Sequence, residues 1–448
     1  MRLLKVAFHT LGCKLNQLET ESVADAFEAA GAIICPFSEE ADLYVVNSCT
    51  VTSKAEQKAR RVMRQALVQN PQAVVLVTGC YAQMDPEGLS LVHPRALVLP
   101  GDEKPALLAL ASWLQDNWQG HGDLHGAVGE WRANLQAVAE APPDRFAFHP
   151  RNFAFHSRPS LKIEDGCNNR CAYCRVCLAR GPAVSLPADR ILERVLELEK
   201  AGKAEVVLTG INLAQYRDGT LRFPGLLSRL IEGTDSIRFR ISSWEPEFID
   251  DAFLRAFANL RVQPHVHLSL QSGSDSVLRR MARPYTAAWV AQAVADLRAT
   301  RDDPFLAADV IAGFPGESAA EFEASIEFCR AMDFAWIHAF PFSARPGTKA
   351  FDMVPKVPER LAGERVARLG ALASAGKSAY LRRWIGKTVP LILEKGDEGQ
   401  DTGTTANYLK ATVEGIPANQ APGALLSVTL TGPAKAPGAD VSALFSSI

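Results

Sequence analysis

Along the first hundred residues, short apolar runs alternate with longer stretches in which apolar positions recur every three or four residues. "LLKVAF" (Leu3–Phe8), "DLYVVN" (Asp42–Asn47), "AVVLVTG" (Ala73–Gly79) and "ALVLP" (Ala96–Pro100) are β-branched or aliphatic runs of strand length. Between the first three, Gln17–Ala30 and Ser53–Gln69 carry the helical period. The alternation predicts a small α/β domain over residues 1–115 with a mainly parallel sheet. Residues 116–152 show no sustained period and carry Gly, His, Trp and Pro, which reads as a linker. From 153 to 384 strand and helix alternate again. Strands fall near "SLKIED", "AEVVLTG", "IRFRISS", "HVHLSL", "FLAADVIAGF" and "FAWIHAFPF". Helices are expected near Ala188–Ala201, Pro224–Gly233, Pro246–Ala258, Ala287–Thr300 and Ala319–Met332, with a long one over Pro358–Lys387. This predicts a partial (β/α)6 barrel with its chemistry at the carboxyl ends of the strands. Residues 385–448 change to short Thr/Val/Leu strands with Gly, Asn and Pro turns, the pattern of a small β-barrel.

A chain of 448 residues is too long for one core, in keeping with several domains. The formal charge of -2 means that a nucleic-acid partner must be met by local basic patches, not by the whole surface. No apolar run approaches the length of a membrane span. The start, "MRLLKVAFHTLGCKLNQ", holds Lys5 and His9 inside its apolar part and reads as a first strand, not a signal peptide. The expected compartment is the cytoplasm, where cysteines stay reduced and clustered thiols bind metal more often than they form disulfides.

Nine cysteines are present. Cys13, Cys49 and Cys80 each follow one of the first three strands, 36 and 31 residues apart, within loop-type residues. Ligands gather beyond the carboxyl ends of strands in an open parallel sheet. Three cysteines placed there form a candidate metal site; three buried apolar thiols would more often lie within strands or helices. Cys35 and Cys329 lie in apolar surroundings and are expected in the core. Four more sit in "EDGCNNRCAYCRVCLARG", just after the first strand of the barrel. Cys167, Cys171 and Cys174 make C-x-x-x-C-x-x-C, which wraps one loop around a single metal centre, whereas zinc prefers separated pairs. A 4Fe–4S cluster normally takes four cysteines, so three leave one iron open to a small molecule. Cys177 either closes such a cluster as a fourth ligand or lines the pocket beside it.

The C-x-x-x-C-x-x-C spacing, with Tyr173 before the third cysteine, resembles the signature of the radical S-adenosylmethionine (SAM) superfamily. "HTLGCKLNQLETE", "VVNSCTVT", "TGCYAQ", "DGCNNRCAYC", "LARG", "LQSGSD", "IAGFPGE", "FPFSARPGT" and "GTTANYLKATVEG" together resemble the methylthiotransferases of that superfamily. The resemblance implies an auxiliary 4Fe–4S cluster on Cys13, Cys49 and Cys80, and a SAM-binding 4Fe–4S cluster on Cys167, Cys171 and Cys174. It also implies a C-terminal TRAM domain that binds RNA. Strand-end residues expected to meet SAM are Gly210, Asn212, Ser243, Glu245, Gln271 and Gly313, with Tyr173. "TLGCKLNQ" is most similar to the branch acting on threonylcarbamoyladenosine at position 37 of tRNA, beside the anticodon. Other branches act on isopentenyladenosine in tRNA or on an aspartate of a ribosomal protein. Two residues depart from the family pattern: Cys177 stands where proline is usual, and the neighbourhood of Val184 lacks the usual arginine.

The implied mechanism consumes two SAM molecules. One methylates sulfur held at the auxiliary cluster, and the second yields a 5′-deoxyadenosyl radical that removes hydrogen from adenine carbon 2. No catalytic side chain beyond the clusters is expected, and an electron donor such as flavodoxin or ferredoxin is implied. RNA contacts are expected from the basic run Lys54–Arg64, with Lys58, Arg60, Arg61 and Arg64, and from Arg280 and the basic segment Arg360–Lys387. The acidic tail would have to use Tyr408 stacking and Lys410. The rival readings are a non-catalytic iron–sulfur RNA-binding protein and a radical SAM enzyme whose second cluster only relays electrons.

Overall fold

The computed structural model describes residues 3–118, 120, 122–138, 144–396 and 401–446. Residues 139–143 of the expected linker and 397–400 of the tail lie outside the described residues. The first unit is a fully parallel five-stranded sheet in the spatial order Ile33–Cys35, Lys5–Thr10, Leu43–Ser48, Val74–Gly79, Ala96–Val98. Successive strand residues face opposite sides. Leu43 and Val45 therefore join one core with Phe27, Leu107 and Leu114, while Tyr44 and Val46 join another with Val62, Met63 and Leu67. The chain steps from Lys5–Thr10 outward to Ile33–Cys35 and then back across to Leu43–Ser48. That reversal opens a crevice beyond the carboxyl ends of two neighbouring strands. Cys13 and Cys49 follow those two strands.

The edge strand Ile33–Cys35 was not predicted, being only three residues long. Cys35 is buried there as expected, with its thiol 3.7 Å from the Val6 carbonyl. The expected linker is corrected in part: it contains the helix Leu124–Val138, whose Leu124, Val128 and Trp131 complete the core beneath the sheet.

Six parallel strands then form the open barrel. Ser160–Lys162, Glu205–Thr209 and Arg238–Ile241 pair in order. Beyond Ser242 the third run continues as Ser243–Trp244, beside His265–Gln271, Phe305–Ala312 and Trp336–Pro341. Val266, Leu268 and Leu270 face outward to Val290, Val294 and Leu297 of the helix Ala287–Thr300. The alternate residues His265, His267 and Gln271 therefore face the interior, with Asp309, Ile311, His338 and Phe340.

The helix Glu359–Trp384 leads to a closed five-stranded barrel, Thr388–Glu394, Thr402–Thr405, Lys410–Glu414, Val441–Phe445 and Leu425–Pro433. Its core of Leu391, Leu409, Val428 and Leu430 is continuous with Phe305, Ala335 and Tyr380, so this barrel packs where the larger barrel's strands begin. No helix among the described residues is long and apolar enough to cross a membrane.

Arg240 joins the two barrels. Fully buried, it donates to both Glu205 oxygens at 2.7 and 3.1 Å and to the carbonyls of Thr405 and Ala406 at 3.1 and 3.2 Å. Arg240→Ala would leave the buried Glu205 carboxylate with only Gln263 and the more distant Arg158, and would strand two carbonyls. A loss of about 3–5 kcal/mol is expected in urea unfolding, and a loss under about 1 kcal/mol would show that the pair does not hold the barrels together.

Candidate active site

Two glycines shape the first cysteine set. Gly12 adopts φ +102°, and a Cβ there would lie 2.8 Å from the Cys49 sulfur. Gly79 adopts φ +98°, and its Cβ would lie 2.3 Å from the Ser48 carbonyl. Only glycine lets these turns bring Cys13, Cys49 and Cys80 to one edge. Cys13 is the N-cap of the helix Lys14–Ala29, Cys49 directly follows the strand Leu43–Ser48, and Cys80 opens the short helix Cys80–Met84. Asn16 ties the turns together, donating to the Leu11 and Ser48 carbonyls at 2.8 and 3.1 Å. Burial pushes the Cys49 thiol up to about 12, aided by the neighbouring Cys13 and Cys80, although the Val51 N–H opposes it.

Arg180 comes from the other unit, in the short helix Val176–Arg180 after the four-cysteine loop. Its Nε donates to Cys80 Sγ at 3.3 Å, and its other nitrogens reach Asn16, Glu19 and Asp165 at 2.8–3.2 Å. Glu19 also accepts from Lys104 at 2.5 Å and Lys162 at 2.9 Å, and Lys162 lies 2.6 Å from Asp165. Burial alone would push Glu19 up, but Arg180, Lys104 and Lys162 hold it well below the usual carboxylate range. Three cations thus face two carboxylates, leaving one positive charge beside the three cysteines. Sequence reading missed this network, whose members are far apart in the chain.

In the second set, Cys167 accepts from the Asn169 N–H at 3.4 Å and lies 3.8 Å from Asn212 Nδ2. Cys171 accepts from Arg283 at 3.1 Å, and Arg283 is held by Tyr285 at 2.8 Å and by Glu245. Burial pushes Cys174 up to about 12 and raises Cys167. Cys177 turns back on its own helix, with its sulfur 3.9 Å from the Cys174 carbonyl. Glu164, fully buried before the loop, accepts from the Asn212 N–H at 2.7 Å, while its other oxygen has no protein partner. Burial raises its carboxyl to about 8.

A cavity of about 290 Å³ lies between the loop after Cys49 and the barrel interior. Val51 and Thr52, just past Cys49, form one wall; Tyr173, Gln271, Asp309, Ile311 and Phe340 form the opposite one. Of the residues expected at SAM, Tyr173 and Gln271 line this cavity. Gly210 and Asn212 pack on Glu164 beside Cys167, and Ser243 is exposed at its strand. Two of these residues have protein neighbours of their own. Glu245 is committed to Arg283, and so orients a donor to Cys171. A Cβ on Gly313 would meet Ala362 of the long helix at 2.6 Å, so helix packing accounts for that glycine.

The basic residues divide sharply. On the helix Ser53–Gln69, Lys58, Arg61 and Arg64 are exposed opposite a buried face of Ala59, Val62, Met63 and Ala66. Arg60 is instead engaged, 3.5 Å from Asp85 and over the Tyr81 ring. Arg280 is bound to both oxygens of Glu321 at 2.9 and 3.0 Å. Of the basic segment on the long helix, Arg365 is paired with Glu317, Arg368 with Glu323, Lys377 with Asp440 and Arg383 with Asp303. Tyr408 is not free to stack on RNA, because its ring lies 4.0 Å from that of His265, with Arg240 5.2 Å away. Lys410 is exposed. Charge runs alone could not reveal these pairings, since the acids come from distant elements.

Gly12→Ala should force the first turn away from Cys49 while sparing the second cysteine set. After anaerobic reconstitution with iron and sulfide, the variant is expected to hold about half the wild-type iron; full loading would show that the turn is dispensable.

Residues 5–100 match the model described as uncharacterized protein family UPF0004, and residues 161–329 match the radical SAM superfamily. The chain is 44% identical over 441 residues to the threonylcarbamoyladenosine tRNA methylthiotransferase MtaB of Treponema pallidum, covering 88% of this chain and 92% of that protein. It is 35% identical to the tRNA-2-methylthio-N(6)-dimethylallyladenosine synthase of Sorangium cellulosum, covering 89% and 84%. A solved radical SAM methyltransferase, TsrM from Kitasatospora setae, shares the fold with a TM-score of 0.51 at 15% identity, over 78% of this chain and 77% of that one. The chain therefore belongs to the methylthiotransferase family of radical SAM enzymes and, within it, to the MtaB-like branch.

Proposed function

We propose that the protein inserts a methylthio group at carbon 2 of N6-threonylcarbamoyladenosine at position 37 of tRNA, with SAM and two 4Fe–4S clusters as cofactors. The observation that carries the reading is the single cavity walled by the Cys49 loop on one side and by Tyr173 and Gln271 on the other. A base lying in it can meet a sulfur donor and a radical source without moving between sites. Residues 1–115 would carry the sulfur site, 153–384 the SAM site and 385–448 an RNA-binding barrel. The electron donor would be a flavodoxin or ferredoxin, and the compartment the cytoplasm.

The residues fit the cofactors. Among the described residues, no three His, Cys, Asp or Glu side chains converge tightly enough for a single metal ion. A cubane takes each thiolate to a different iron and so asks for a wider set. Each set also receives one guanidinium N–H on sulfur, Arg180 on Cys80 and Arg283 on Cys171. Cys167, Cys171 and Cys174 would hold the cluster that supplies the electron for reductive SAM cleavage, and Cys13, Cys49 and Cys80 the cluster at which sulfur is kept. Arg283 fixes Cys171 through Glu245 and Tyr285, Arg180 fixes Cys80, and the apolar wall of Ile311 and Phe340 keeps water from the reacting base.

Mass spectrometry of tRNA nucleosides from cells with and without the gene tests the substrate. Methylthio-threonylcarbamoyladenosine should vanish without it; an unchanged level, or loss of the methylthio-isopentenyl nucleoside instead, defeats the assignment. Separate cysteine variants test the division of labour. Cys174→Ala should abolish SAM cleavage, Cys49→Ala should keep cleavage and lose sulfur insertion, and Cys177→Ala should leave cleavage largely intact. Sulfur insertion surviving in Cys49→Ala would refute the auxiliary role, and a dead Cys177→Ala would establish a fourth ligand.

A further inference from the structure

We propose that an acidic one-electron carrier protein docks on a basic face formed by Arg170, Arg217 and Arg222, beside the Cys167 end of the four-cysteine loop. This rests on the reading of Cys167, Cys171 and Cys174 as the site of reductive SAM cleavage. That cleavage takes one electron per SAM and gives methionine and the 5′-deoxyadenosyl radical. A reduced carrier must therefore give up one electron in each cycle and leave oxidised by one. Electron transfer weakens steeply with distance, so the carrier has to reach the loop itself.

Most of the loop is closed to a partner. Its inner side, at Tyr173, faces the cavity, which the base fills on the proposed reading. Its far end is locked to the N-terminal unit, Arg175 on Glu56 at 3.2 Å and Arg180 on Glu19 at 3.0 Å. Ala172 is covered, its N–H donating to the Met281 carbonyl at 2.9 Å and its carbonyl accepting from the Ala350 N–H at 2.7 Å. Between Cys167 and Cys174 only Asn168 and Arg170 are exposed.

A basic face adjoins that opening. Gln215 holds the exposed part of the loop, accepting from the Asn168 N–H at 2.8 Å and donating to Asn169 Oδ1 at 2.7 Å. Just beyond Gln215, Arg217–Asp218 and Leu221–Arg222 form a two-stranded antiparallel ribbon. The ribbon is tied to the same place: the Arg217 N–H donates to Ser185 Oγ at 2.9 Å, and the Ala183 N–H to Asn168 Oδ1 at 3.1 Å. Arg217 and Arg222 stand directly opposite each other in register, so both side chains leave one face of the ribbon. Like charges so placed are destabilising. Neither they nor Arg170 have a carboxylate within 4.0 Å among the described residues, whereas Arg190 is paired with Glu193 and Arg229 with Asp189 on the helices nearby. Asp218, the acid of the ribbon, accepts instead from the Ala188 N–H at 2.8 Å. Val184, exposed next to Ser185, adds an apolar spot. A transient electron-transfer contact needs little more, since such interfaces are small and opposite charge steers the encounter. RNA is the other polyanion that could use these arginines. The face abuts the cysteine loop, however, and not the Val51, Thr52 and Ser343 wall where the exposed cations of the helix Ser53–Gln69 begin, which favours the carrier.

The test follows SAM cleavage as 5′-deoxyadenosine release by the anaerobically reconstituted protein, without RNA, and compares two reductants. One is a reduced acidic flavodoxin; the other is reduced methyl viologen, a small cation that needs no docking face. The double variant Arg217→Glu, Arg222→Glu, checked for wild-type iron content, should lower kcat/KM for flavodoxin about 10- to 100-fold. Its rate with methyl viologen should match the wild type, and Arg217→Lys, Arg222→Lys should keep the wild-type kcat/KM for flavodoxin. The wild-type rate with flavodoxin should fall as salt rises, and the reversed variant should lose that dependence. An equal loss with both reductants would show an effect on the SAM site and overturn the docking proposal. An unchanged flavodoxin rate overturns it too, and weaker binding of a fluorescent anticodon stem–loop in that case would give the face to RNA. No cleavage by the wild type with either reductant would overturn the underlying SAM-site reading, and this proposal with it.

Discussion

The carboxylate of Glu19 accepts from Lys104, Lys162 and Arg180, and the juncture of the two cysteine-bearing units depends on that shared anion. Glu19 and Lys104 belong to the parallel sheet unit, whereas Lys162 ends the first barrel strand and Arg180 ends the helix after the four-cysteine loop. All are nearly inaccessible to water, with Glu19 2% and Lys162 1% exposed. Burying such charges is unfavourable unless every lone pair and donor finds a partner. Here each charged group has at least two polar partners: Asp165 completes the set, and Asn16 carries the network into the Cys13 turn. The arrangement therefore trades general stability for a fixed relative position of the two cysteine sites.

A second tie lies across the cavity. Glu56, in the first turn of the helix after Cys49, is held by Arg175 at 3.2 Å and by Arg345. Arg175 directly follows Cys174, and Ser343, near Arg345, meets Ser53 at 3.1 Å. One clamp thus anchors the Cys13 and Cys80 turns and the other the Cys49 turn, with the cavity between them. Two sites that must act in turn on one atom need this kind of geometry, because small displacements of reacting groups cost large factors in rate.

How much of this was legible in the sequence varied with the range of the interaction. Strand-end cysteines declared themselves because strand length and loop composition are local signals, and the helix Ser53–Gln69 has the predicted bounds because Thr52 caps it on the Ala55 N–H. The helix Leu124–Val138 escaped notice although Leu124, Val128, Trp131 and Leu135 keep a helical spacing. Gly126 and Gly129, poor helix formers, obscured it. Arg180 could not have been assigned from sequence, since its partners Asn16 and Glu19 lie 164 and 161 residues away. The same blindness inflated the expected RNA surface: Arg280, Arg365 and Arg383 look free in sequence and are neutralised by acids from other elements.

With those residues removed, the exposed basic groups that remain on the helix Ser53–Gln69 gain significance from where that helix begins. Its cap, Thr52, is itself a wall of the cavity, and Lys54, Lys58, Arg61 and Arg64 lie exposed along the helix that starts there. A backbone following this face would arrive at the cavity mouth, where phosphate contacts position a substrate but carry no information about its base. Discrimination then has to come from the residues that line the cavity, Tyr173 and Gln271 among them. On the proposed reading, docking and chemistry occupy successive depths of one passage, with exposed cations outside and the reacting base within the cavity. Each depth uses charge differently because each has a different access to water. Outside, charges are screened and act together; inside, each is held by a fixed partner, as Glu56 is by Arg175.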